Sequence, residues 1–237
     1  MPLEQHLIRD STGQYERTAW LLRGPSDRPH RLCIFLDAEH YLRDMDASPI
    51  LIDLQARGEI PPVTCVFISH ASGAARHEDL TWNDRYTRFI GEDVVQWANQ
   101  HQPNLRSSDN VICGLSLSGL AGAHVALKYP QTFAYSLCQS ASFWWKNAWL
   151  MEQFQALGPT RTRFWLSVGT EETAVGVSHP PSGLRQDMSQ IEGVENAARQ
   201  LKAIGAAVHY HLFTGGHAIA PWKAELPDAF RWLLDQA

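Results

Sequence analysis

The chain is short of charge in one place above all. From Asn110 to Trp145, thirty-six residues carry a single formal charge, Lys128, although 19% of the whole chain is charged. At that average, about seven would fall in the stretch. A membrane span is one explanation, since Asn110 to Leu127 runs eighteen residues without a charge, the length at which a transmembrane helix is considered. Gly114, Ser116, Ser118, Gly119, Gly122 and His124 leave too little apolar surface for a lipid-facing helix, and Pro130 interrupts the run. The stretch therefore reads as protein interior.

Other absences narrow the field. The N-terminus MPLEQHLIRD lacks the apolar segment of a secretory signal, so the sequence reads as a cytoplasmic product. Lys and Arg do not cluster and the net charge is −5, which leaves no phosphate-tracking surface; nucleic acid is not an expected partner. The four cysteines, Cys33, Cys65, Cys113 and Cys138, show no Cys-x-x-Cys spacing and each lies in a short apolar run. Buried free thiols are expected. No linker, repeat or composition shift divides the 237 residues, so a single domain over 1–237 is expected. What is plentiful is apolar residues, 44%, enough for a large core without disulfides or metal.

The order of elements follows from periodicity. Tyr15 to Leu22, Arg31 to Asp37, Val63 to Ser69, Asn110 to Cys113, Phe133 to Gln139, Arg161 to Gly169 and Ala206 to Phe213 read as strands. Asp84 to Gln100, Ser116 to Tyr129, Met188 to Ile204 and Pro221 to Leu234 read as helices, with Gly205 as a stop signal. Strands alternating with helices, and apolar throughout, imply an α/β fold with a mostly parallel sheet covered on both faces. Chemistry in such a sheet gathers at the C-terminal ends of the strands.

After the strand ending at Cys113 comes Gly114-Leu115-Ser116-Leu117-Ser118-Gly119, opening a helix. Strand, sharp turn carrying serine, helix is the context of a nucleophile elbow. Its tight turn needs small residues two before and two after the nucleophile. Gly114 meets the first need; Ser118 stands where G-x-S-x-G has its second glycine. Ser118 is the weaker nucleophile candidate, because its own flanks are Ser116 and the bulky Leu120. An acyl-transfer serine needs a base, and the base an orienting acid, in the chain order serine, acid, histidine. Glu171 and Glu172 follow the strand ending at Gly169, and Gly215-Gly216-His217 follows the last strand. Either glutamate could hold one imidazole nitrogen and so fix the tautomer.

The segment ICGLSLSGLAGAHVALKYPQTFAYSLCQSASFWW resembles the elbow and following strand of the Putative esterase (esterase D-like) family, in its enterochelin esterase-like branch. LDAEHYL resembles that family's first active-site loop, ARHEDL its R-x-x-E-L segment, VGTEE its acid loop, and GGHAIAPWKAELPDAF its terminal histidine segment. The likeness runs from about Tyr15 to the end, with its segments in order. It implies an α/β-hydrolase fold and a serine carboxylester hydrolase with no cofactor or metal, acting on a small-molecule ester. Ser116 becomes the nucleophile, His217 the general base and Glu172 the acid, with Glu171 the alternative. By topology, the oxyanion hole uses the backbone N–H groups of Leu117 and Glu39. The resemblance implies siderophore ester or lactone bonds as substrate; small acyl esters and acylated sugars are comparable candidates.

Further residues are weighed beside these. Arg76, Trp144, Trp145 and Trp222 are expected to contact substrate; Phe143 and Trp149 belong to the same aromatic group, for which core packing is the alternative. His77-Glu78 begins like H-E-x-x-H, but Thr81 stands at the second histidine position, which excludes that zinc motif. His209 and His211 share a strand face near His217, and exposed or hydrogen-bonded strand histidines are the simpler reading than metal ligands. The Pro/Gly-rich loop Thr173 to Arg185 is expected to be a mobile flap over the site. Two rival functions use the same fold: a catalytically silent binding protein, and an acyltransferase to a sugar or alcohol.

Overall fold

The computed structural model describes residues 3–146, 150, 153, 158–179 and 183–235; Trp149 lies outside them. Eight strands form one sheet: β1 (Glu4–Arg9), β2 (Glu16–Leu22), β3 (Arg31–Leu36), β4 (Val63–Ile68), β5 (Asn110–Leu115), β6 (Phe133–Gln139), β7 (Arg163–Gly169) and β10 (Ala207–Phe213). Their spatial order is β1-β2-β4-β3-β5-β6-β7-β10. The first two are antiparallel to their neighbours, and every pairing from β4 to β10 is parallel. The expected mostly parallel sheet is therefore present.

The reason these strands are apolar throughout is visible in the two cores. Leu32, Ile34 and Leu36 of β3 pack into one cluster, whereas Cys33 and Phe35 pack into the other. Strand β4 divides in the same way, with Val66 and Ile68 on one face and Cys65 and Phe67 on the other. With both faces covered, no position gains from being polar. The first face is covered by α3 (Asp84–Arg88), a π-turn (Phe89–Val94), α4 (Val95–His101), α5 (Ser116–Lys128) and α6 (Gln190–Ala203). The second is covered by α1 (Ala47–Ala56) and α7 (Ile219–Leu234). Phe35 stacks between Phe67 and Phe230, with centroids 4.6 and 5.9 Å away. Burying each such ring contributes roughly 2 kcal/mol. The four cysteines are free and buried.

The charge-poor stretch is the centre of this arrangement. Every residue of β5 is buried, and α5 is buried from Leu117 to Leu127. Lys128 emerges at the C-terminal end of α5, where a cation suits the helix dipole, and its Nζ lies 2.5 Å from Asp84. Among the described residues, no helix is long and apolar enough to cross a membrane.

Among the described residues, elements that were not expected include β1, a π-helical turn (His40–Asp44), α1, α2 (Gly73–Leu80), and a hairpin of β8 (Val177–His179) and β9 (Leu184–Gln186). Within the Thr173–Arg185 loop, expected as a flap over the site, the described ends are tied by an antiparallel ladder from Val177↔Gln186 to His179↔Leu184.

Candidate active site

The turn after β5 is sharp. Ser116 has φ +52, a left-handed conformation uncommon for a residue with a side chain. Gly114 is required there: a Cβ would lie 2.1 Å from the Ser118 carbonyl oxygen. Ser118, the departure from G-x-S-x-G, is wholly buried; its Oγ accepts from the Leu115 N–H at 2.9 Å and donates to the Leu115 carbonyl at 2.8 Å. The hydroxyl thus closes the turn instead of facing substrate. Ser116 lines both cavities described below.

The candidate residues Glu172 and His217 follow the neighbouring strands β7 and β10. The loops after them approach closely: a Cβ on Gly169 would lie 2.3 Å from the Gly215 carbonyl oxygen, and Gly215 has φ +129. The Glu171 N–H donates to that same Gly215 carbonyl at 2.9 Å, and the Glu171 side chain is exposed. Glu172 turns inward. Its Oε2 lies 2.6 Å from His217 Nδ1, and its Oε1 accepts from the Gly169 N–H at 2.8 Å and the Ser140 hydroxyl at 2.6 Å. The Glu172 side chain is only 2% exposed, against 43% for His217. A carboxylate on Nδ1 leaves Nε2 as the nitrogen available to a reacting group.

Trp222 stands against this pair, its ring edge-on to His217 at 4.8 Å and its indole N–H donating to Ser140 Oγ at 2.9 Å. Beneath it lies a second buried carboxylate. Glu225 accepts from Gln139 Nε2 and Ser167 Oγ, both at 2.7 Å, and from Trp165 Nε1 at 3.2 Å. Burial pushes the Glu225 carboxyl up to about 7, and the nearby Glu172 adds to the rise while the three donors oppose it.

Two cavities meet at Ser116 and His217. One, of about 290 Å³, is walled by Trp144, His179, Gln186 and Gln190. Trp144 stacks on His179 of the hairpin, with centroids 4.7 Å apart and planes at 15°. Its Nε1 donates to Gln190 Oε1 at 2.6 Å, so the wall is pinned on two sides. The other cavity, of about 320 Å³, holds His40, Asp44, Arg76 and Trp222. His40 Nδ1 lies 2.9 Å from Asp44 Oδ2; Arg43, and then His40, hold the Asp44 carboxyl down at about 2.

Of the expected substrate contacts, Trp144, Arg76 and Trp222 line a cavity containing Ser116, whereas Trp145 is core, 4% exposed, and lines neither of these two. Arg76 also has a structural task. Its Nε and Nη2 clamp the fully buried Asp37 carboxylate at 2.7 to 3.0 Å. Leu117 is the second residue of α5, so its N–H has no intrahelical acceptor. Glu39 follows β3 with its Oε1 2.5 Å from the Ser69 hydroxyl. His209 stacks on Trp165 at 4.1 Å, and His211 Nε2 lies 3.9 Å from Glu225. Among the described residues, no group of three or more His, Cys, Asp or Glu is arranged to hold a metal. Ser140, Gln190 and His179 escaped the sequence reading. Ser140 alone carried a signal, its place immediately after a strand.

Comparison with known proteins bears on the family and the fold. Residues 18–233 match the family described as "Putative esterase". The iron(III) enterobactin esterase of Dickeya dadantii (strain 3937) is 30% identical over 92% of this chain, and that of Escherichia coli (strain K12) 22% identical over 95%. The chain spans about half the length of these curated relatives, 52% and 56%. The crystal structure of enterochelin esterase from Shigella flexneri superposes with a TM-score of 0.84 at 20% identity, covering 99% of this chain and 59% of that one. A siderophore hydrolase from Aspergillus nidulans superposes at 0.74 and 17% identity, covering 99% and 95%. These likenesses and the strand order show an α/β-hydrolase fold. With nine-tenths of its length matched by one family, the chain belongs to the Putative esterase family.

Proposed function

We propose that the protein is a serine carboxylester hydrolase, with Ser116 as nucleophile, His217 as general base and Glu172 as the orienting acid. The observation that carries this reading is the 2.6 Å contact from the buried Glu172 carboxylate to His217 Nδ1, in a histidine that shares its cavities with a strained elbow serine. His217 Nε2 takes the Ser116 hydroxyl proton as Oγ attacks the ester carbonyl carbon. The N–H groups of Leu117 and Glu39 receive the developing oxyanion, each donor of this type lowering the barrier by about 3 kcal/mol. Collapse breaks the ester C–O bond, and His217 returns the proton to the leaving alcohol. Water, deprotonated by the same imidazole, then releases the acid and restores Ser116.

The names of the curated relatives support ester or lactone bonds of a siderophore as the substrate. The flat Trp144–His179 wall supports a planar group beside the scissile bond. A fluorophosphonate probe is expected to label Ser116, and Ser116→Ala to lose turnover; turnover retained by that variant would sink the mechanism. Enterobactin and short p-nitrophenyl esters, assayed side by side, test the substrate. Cleavage of the p-nitrophenyl esters alone removes the siderophore reading and leaves the esterase.

A further inference from the structure

Ser140 is tied into the structure at each of its polar groups. It follows β6 with φ +42, a left-handed conformation that a side chain makes costly by about 1 kcal/mol or more. Its N–H donates to the Ser167 carbonyl on β7 at 2.9 Å, and its carbonyl accepts from Gln190 Nε2 on α6. Its hydroxyl oxygen lies 2.9 Å from Trp222 Nε1 on α7 and 2.6 Å from Glu172 Oε1. Chemistry sets the direction of the last two bonds. An indole N–H can only donate, so Ser140 Oγ accepts from Trp222. The single hydroxyl proton is then directed to the carboxylate.

Glycine would adopt this backbone without strain, yet the position holds a wholly buried serine. We infer that Ser140 is a positioning residue: oriented by Trp222, its hydroxyl fixes one oxygen of Glu172 so that the other meets His217. The inference rests on the triad proposed above. The Gly169 N–H supplies a second bond to the same oxygen, and together the two donors stop the carboxylate from rotating about its terminal torsion. Trp222 acts on both partners at once, through Ser140 on the acid and through its ring edge on the base.

The test compares Ser140→Gly and Ser140→Ala with the wild-type chain on a p-nitrophenyl ester, following kcat, KM, thermal midpoint and the pH dependence of kcat/KM. Ser140→Gly relieves the backbone and removes only the hydroxyl. It is expected to melt close to wild type, to lose roughly 10- to 100-fold in kcat with KM within about twofold, and to shift the acid limb to lower pH as the imidazolium loses a held counter-charge. Ser140→Ala is expected to show the same kinetic loss. A folded variant with kcat and pH profile unchanged overturns the inference, as does a rise in KM alone, which would mark a substrate contact. Glu172→Gln and Ser116→Ala are assayed in parallel. If both are inactive while Ser140→Gly is fully active, only the positioning role fails; if both remain active, the triad itself fails.

Discussion

Trp222 meets His217 edge to face, with centroids 4.8 Å apart and planes at 88°. The imidazole is more than two-fifths exposed, so this indole is a wall that its Glu172 contact alone does not provide. Trp222→Phe keeps an aromatic edge but removes the donor to Ser140. Its expected cost is about 1 kcal/mol in stability and about tenfold in kcat. Steady-state kinetics with a denaturation curve checks both, and an unaltered kcat refutes the role.

The elbow predicts opposite outcomes for two glycines eight residues apart. In Gly114→Ala the new Cβ meets the Ser118 backbone at 2.1 Å, which no side-chain adjustment relieves. A loss of about 3 kcal/mol or more is expected, together with loss of probe labelling at Ser116. In Gly122→Ala the nearest atom is Ile112 Cγ1 at 3.6 Å, an ordinary contact, and a mid-helix alanine gains about 0.5 kcal/mol or more. Urea denaturation of the two variants measures the contrast; equal stabilities would refute it.

Arg76→Ala should cost stability as well as activity. It strips the clamp from Asp37, whose side chain is 0% exposed, and an orphaned buried carboxylate costs about 3 kcal/mol or more. Arg76→Lys keeps the charge but loses the two-pronged fork, so its midpoint is expected between the two. An Arg76→Ala variant as stable as wild type would leave the residue a purely catalytic-site function.

Glu225 gives stability a pH dependence. Its carboxyl is raised from 4.5 in the ordinary state to about 7 in the fold, first by burial. Between those values the native chain keeps a proton that the unfolded chain has released, so unfolding becomes easier as pH rises. The contribution is whole below 4.5 and is lost as pH passes through about 7, a difference of roughly 3 kcal/mol. Glu225→Gln is expected to flatten the decline in denaturation midpoint between about pH 5 and about pH 8. An identical slope in variant and wild type counts against it.

The elements that were legible in the sequence are those whose signal is local. Runs such as VTCVFI and RLCIFL announce strands covered on both faces, and Gly114 with Ser116 announces the turn. Strand β1 escaped because EQHLIR buries only Ile8 at an edge of the sheet. Helix α1 escaped because Pro49 interrupts its apolar pattern, although a proline in the first turn is tolerated. The choice between Glu171 and Glu172 was open because both directly follow the same strand end. What distinguishes them in the structure is the contact of Glu172 with His217, 45 positions away in the chain. Ser140 and Gln190 were hidden for the same reason: their partners lie 32, 50 and 82 positions distant.

The placement of the loops that carry Ser116 and His217 has a consequence for how the proposed activity is lost. Strand β10, which precedes the His217 loop, is the last in the sheet and, among the described residues, is paired on one side only, with β7. Ser116 follows β5, flanked by β3 and β6. Edge elements open at lower free energy than central ones. On the proposed triad, mild denaturant or heat would then detach His217 from an intact Ser116 turn, so that inactivation precedes global unfolding and reverses when the edge strand closes again.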